Sequence, residues 1–195
     1  MIKTFNKLVI LFFILTFLGC NNKSQEKPNI VFILTDDLAY ADLSSYGSNE
    51  IETPFLDKLA SDGVKLTSYY AAQAVCSASR AAILTGCYPN RLGISGAFGP
   101  KSKKGINPNE FLVSEMLKEN DYKTGIFGKW HLGDAEKFLP TNHGFDEFYG
   151  ILFSNDMWKF HPERPQDYPD ELMLYRNDNP IQPLIDQSDL TKNIT

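Results

Sequence analysis

Cysteine is scarce in this chain: Cys20, Cys76 and Cys87 are the only three among 195 residues. Cys20 belongs to an N-terminal leader, and the other two lie eleven apart across an expected helix and turn. That is too little for a disulfide framework. Long hydrophobic runs are also missing. The longest, residues 8–18, falls short of the ~20 apolar residues that span a bilayer. Positive charge is not in excess either, with 19 Lys and Arg against 24 Asp and Glu and a net charge of -5. This argues against a polyanion-binding face of the nucleic-acid kind, so any anion must be met by a local site.

What is present begins with a leader. Residues 1–20 combine Lys3 and Lys7 with the apolar run and end in F-L-G-C, the pattern of an export signal. Gly19-Cys20 resembles a bacterial lipoprotein cleavage site, although Phe17 and Leu18 replace the usual Leu and small residue. The expectation is an exported, periplasmic or cell-surface bacterial lipoprotein, anchored to a membrane through lipid on Cys20. An ordinary signal peptide or an uncleaved anchor are the alternatives. Residues 21–28 read as a polar tether, and residues 29–195 as one domain large enough for a sizeable core.

Within that domain the pattern is α/β. Residues 29–35, N-I-V-F-I-L-T, form a β-branched apolar run of the kind buried on both faces of a parallel sheet. The run ends in Asp36-Asp37. Ligand sites of α/β sheets gather at such carboxyl ends, whereas an isolated acidic pair there also serves as a solvated turn and helix cap. Thr53-Pro54 starts a helix with Phe55, Leu56 and Leu59 on its expected core face, and residues 64–70 read as a strand or extended arm.

The segment the chain is organised around is residues 74–92, A-V-C-S-A-S-R-A-A-I-L-T-G-C-Y-P-N-R-L. Residues 77–84 propagate a helix with Cys76 near its first turn, and Gly86 and Pro89 stop it. A helix N-terminus favours thiolates and binds oxyanions, and Arg80, four residues on, puts a guanidinium on the same face. Residues 93–110 are a Gly/Pro-rich loop over the rim of the site, with Lys101, Lys103 and Lys104 as solvated charges or substrate contacts. Residues 110–120 form an amphipathic helix and residues 124–127 a strand. At that strand's end, Gly128-Lys129-Trp130-His131-Leu132-Gly133 places a point charge and a proton acceptor on one face if the chain stays extended. His143 is expected to hold a loop, and His161 lies in a Pro-rich stretch that could border the pocket. Beyond Pro180 the chain reads as the approach to a further helix.

Cys76, Ala78, Arg80, Leu84, Thr85 and Gly86 match the pattern C-x-[P/A]-x-R-x(3)-L-T-G, and G-K-W-H-x-G follows in order. On these motifs the chain, from about Asn29 onward, resembles the formylglycine-dependent (type I) sulfatases, most closely those like arylsulfatase A. The resemblance implies an alkaline-phosphatase-like fold, with a mostly parallel central sheet flanked by helices, incomplete at the C-terminus. It implies oxidation of Cys76 to formylglycine by a formylglycine-generating or anaerobic sulfatase-maturating enzyme. It further implies calcium on Asp36, Asp37 and residue 76, with Arg80 and His131 in the catalytic group and Lys129 on sulfate. Residues 148–156 resemble the family's F-x-G-I-P-Y-S-x-D segment, which puts Ser154 on sulfate, though Leu152 and Phe153 replace Pro and Tyr.

The function so implied is hydrolysis of sulfate esters, with a sulfated glycan expected before simple aryl sulfates and no nucleic-acid partner. The family's remaining metal ligands, and a further His and Lys, follow the matched region. The chain is therefore expected to be an N-terminal fragment, inactive alone. A phosphatase or phosphonate hydrolase of the alkaline-phosphatase superfamily, and a non-catalytic lipoprotein that binds sulfated glycans, are the competing readings.

Overall fold

A computed structural model describes residues 26–100, 102–184 and 189–190. The leader with Cys20, and Lys101, lie outside the described residues. The chain divides into two compact units, Met1–Tyr40 and Ala41–Thr195. Among the described residues no helix is long and apolar enough to cross a membrane.

In the first unit, residues 26–35 have no regular structure, and Val31, Phe32 and Ile33 are largely exposed. This corrects the expected buried strand. An all-apolar run becomes a strand only where neighbours take its backbone groups and cover both faces. The sheet described here is built wholly from residues 125–184.

The second unit opens with α1 (Pro54–Asp62), which has Pro54 at its first position. The residues expected to make its core face, Phe55, Leu56 and Leu59, are exposed. The helix is held by its polar start instead: Ser44 donates to the Asp57 carboxylate at 2.6 Å and Thr53 to its other oxygen at 3.1 Å. These bonds, that from Ser44 foremost, keep the Asp57 carboxyl below its ordinary range. Residues 64–70 are exposed and irregular, not a strand.

Next come α2 (Cys76–Thr85) and α3 (Val113–Glu119). Small residues let α2 bury Ser77, Ala78 and Ala81, and Gly86 ends it in the left-handed region at φ 68°. In α3 the buried apolar contact is Leu112, just before the helix, whose N–H donates to Glu115 at 2.7 Å. Phe111 and Met116 face outward.

The sheet comprises β1 (Gly125–Lys129), β2 (Glu147–Ile151), β3 (Leu172–Arg176) and β4 (Asn179–Leu184), in that spatial order. The β1–β2 pair is parallel, and the β2–β3 and β3–β4 pairs are antiparallel. The β3–β4 hairpin turns at Asn177, a residue type that tolerates its φ of 53°. Beyond Pro180, where the approach to a further helix is expected, the chain first completes β4 to Leu184, and residues 189–190 are helical. Pro180 and Pro183 sit in β4, at the sheet's edge, where a missing backbone donor costs least. The main core gathers Ala78, Ala81, Ile94, Phe98, Ile106, Leu112, Trp130, Leu132 and Phe148 between α2, the loop after it and the parallel strands. Each large side chain so buried stabilises the fold by about 1.5–3 kcal/mol.

Candidate active site at the carboxyl ends of the parallel strands

Because β1 and β2 run parallel, their carboxyl ends open at one edge. Gly150 stands opposite Gly128, and a Cβ on Gly150 would lie 1.8 Å from the Gly128 carbonyl oxygen. The close approach depends on glycine at 150; at Gly128 a Cβ would meet nothing within 4 Å, and it is the φ of 116° that favours glycine there. The ladder continues past β1: Trp130 N–H donates to Ile151 O and His131 N–H to Leu152 O, each at 3.0 Å. Lys129, His131 and Ser154 are thereby carried to the same edge.

Three contacts tie this edge to its surroundings. Arg80 reaches from α2 and donates through Nη1 to the Lys129 carbonyl at 2.5 Å. Lys129 donates through Nζ to the Ser154 hydroxyl at 3.2 Å. His131 Nε2 meets the Phe98 carbonyl at 2.7 Å, and its ring lies edge-on to Phe153 at 5.9 Å. Lys129 and Ser154 are half-buried, whereas His131 is wholly enclosed.

One expectation of local geometry changes. Lysine and histidine two apart share a face only on an extended chain, but His131 adopts φ 61°. This left-handed turn draws the imidazole into the core while Lys129 stays at the opening. Cys76 is the first residue of α2, half-buried and not in a disulfide. Its neighbour Ser77 accepts the Phe98 N–H at 2.9 Å. Residues 93–110 are thus more than a rim, since Ile94, Phe98 and Ile106 are core and Ile106 N–H bonds Leu132 O at 2.8 Å. The recurrence of single large apolar residues in that glycine-rich stretch was the signal for it.

His143 is also buried, packed 6.1 Å from Trp130, and burial lowers its pKa. Its backbone carbonyl accepts the Ser114 hydroxyl. His161 stacks on Tyr168 and accepts the Glu163 and Arg164 N–H groups.

In the first unit, Asp36 and Asp37 lie on an exposed bend, with Asp37 at φ 52°. Adjacent carboxylates suit a hard cation, which takes six to eight oxygens. No group of three or more His, Cys, Asp or Glu that could hold a metal ion occurs among the described residues. The described residues therefore do not complete a calcium site.

A small-residue helix led by cysteine and arginine, set beside a lysine–serine pair at parallel strand ends, has the positive charge and donors that suit an oxyanion. A family model described as Sulfatase matches residues 28–192, and the chain belongs to that family. Arylsulfatase A of Bos taurus is 46% identical over 132 residues, covering 66% of this chain and 26% of its own length. Among solved structures, that of Ps i-CgsB aligns with a TM-score of 0.71 and 34% identity, covering 80% of this chain and 37% of that one. A sulfatase structure described with the metabolism of multiple glycosaminoglycans by Bacteroides thetaiotaomicron aligns at 0.69 with 32% identity, covering 80% and 32%. The fold is the alkaline-phosphatase-like fold of sulfatases, here with a mixed four-stranded sheet. The chain spans about a quarter of the length of the curated relatives it matches.

Proposed function

We propose that this chain carries the nucleophile and sulfate-binding half of a sulfate-ester hydrolase acting on a sulfated glycan. The observation that carries the reading is the convergence of Arg80, Lys129 and Ser154 at one strand edge through two side-chain hydrogen bonds. Position 76 would carry formylglycine, whose hydrate would supply a geminal diol as the nucleophile toward sulfur. Lys129 and Ser154 hold sulfate oxygens, placing charge and donors where negative charge builds up. Arg80 keeps the Lys129 backbone against α2 and adds positive charge beside position 76. His131 accepts a proton from the hydrate. Asp36 and Asp37 would hold calcium, together with ligands beyond the described residues, and the ion would supply positive charge to the sulfate oxygens.

The glycan assignment draws on the glycosaminoglycan context of the Bacteroides relative. The leader pattern supports export with a lipid on Cys20, and a maturation enzyme is the partner that oxidises Cys76. The test is coexpression with that enzyme, peptide mapping of residue 76, and assay of the complete enzyme on sulfate against phosphate esters. Conversion to the aldehyde with sulfate preferred supports the reading. Unmodified cysteine throughout, or preference for phosphate, would sink it.

A further inference from the structure

We infer that Ser77 is a positioning residue that selects the tautomer and orientation of His131. The inference rests on the reading of His131 as the proton acceptor of the sulfate-ester site, and it deepens that reading.

Ser77 directly follows Cys76 and is completely buried on α2. Its hydroxyl accepts the Phe98 N–H at 2.9 Å, and the Phe98 carbonyl meets His131 Nε2 at 2.7 Å. A carbonyl oxygen only accepts, so Nε2 must carry the hydrogen. In the neutral ring the basic lone pair then sits on Nδ1. Phe98 belongs to a loop with glycine at positions 96 and 99, whose backbone is costly to hold in one conformation. The Ser77 hydroxyl supplies a fixed point on the helix that bears residue 76. Phe153, edge-on to the imidazole at 87°, restrains the ring on another side. The chain Ser77–Phe98–His131 thereby links the position of the nucleophile to that of its base.

A purely structural Ser77 would only satisfy a buried amide. The two roles separate by NMR of the imidazole nitrogens, which reads the tautomer directly. The chain has three histidines, so His143 and His161 serve as internal controls. The expected results are an Nε2–H ring at His131 in the full chain, a mixture of tautomers in Ser77→Ala, and recovery in Ser77→Thr. In the complete enzyme, matured and with formylglycine content measured for each variant, Ser77→Ala should lower kcat on an aryl sulfate about 10-fold with KM within about twofold, the scale of lost outer-shell hydrogen bonds.

An Nδ1–H ring in the wild-type chain overturns the inference without any variant, so it stays open to refutation even if Ser77→Ala fails to fold. A Ser77→Ala protein with lowered melting temperature but unchanged tautomer and kcat also overturns it. Unmodified cysteine at position 76 after coexpression with the maturation enzyme would count against the hydrolase reading alone, because the ring spectrum still decides what Ser77 does.

Discussion

Arg80 Nη1 donates to the backbone carbonyl of Lys129 across 49 residues of sequence, at 2.5 Å. The bond couples the helix that starts at Cys76 to the end of β1. Arg80→Ala removes a charged donor to a half-buried carbonyl, a loss of about 1.5–3 kcal/mol. The expected outcomes are loss of modification at residue 76 and, per modified molecule of the complete enzyme, a fall of roughly 10- to 150-fold in kcat/KM for an aryl sulfate. Peptide mapping and steady-state kinetics check the two effects separately. Arg80→Lys should recover only part of either, because a flexible ammonium cannot copy the planar fork.

In the complete enzyme, Lys129→Ala should weaken sulfate-ester turnover far more than Lys103→Ala. Lys129 is half-buried and bonded to Ser154, whereas Lys103 is exposed on the loop, where solvent and salt screen its charge. A double-mutant cycle with Ser154→Ala should show coupling of about 0.5–3 kcal/mol, the range for residues in direct contact. Equal effects from the two lysines would refute this ranking.

Gly150→Ala tests the close approach of the parallel strands. The added Cβ would lie 1.8 Å from the Gly128 carbonyl oxygen, so backbone and not a pliable side chain must move. Destabilisation of about 3 kcal/mol or more is expected, seen as a shift of the urea midpoint. A variant of wild-type stability would show that β1 and β2 pair differently.

Asp146 gives a pH dependence with a definite sign. Its pKa is lowered from 3.8 to about 2, first by the bond from Lys118 and then by the Thr124 N–H. A carboxyl depressed in the folded state contributes stability that is fully present above 3.8 and lost as pH falls toward 2. Urea midpoints of wild type and Asp146→Asn should differ most at neutral pH and converge across that window. A gap that stays constant down to pH 2 would rule this origin out.

The residues of the candidate site could be picked out in sequence because they are residue types at short spacing. Cys76 and Arg80 fall on one helix face by the helical period alone, and the small residues between them allow that helix to pack. Lys129 follows an apolar strand, so its place at a strand end was also readable. The β3–β4 hairpin was not, because Pro180 and Pro183 argue against a strand until its position at the edge is known. The exposure of Phe55, Leu59 and residues 31–33 was equally hidden, since apolar periodicity says that a face seeks cover and not whether a neighbour provides it. Only the tertiary structure decided the anchoring of His131. Its left-handed turn takes it out of the face shared with Lys129, and its ring bonds a carbonyl 33 residues away in a loop whose own amide is held by Ser77. Contacts of that kind join backbone groups, which every residue carries alike, so no pattern of side chains announces them and only the packing of the folded chain brings them together.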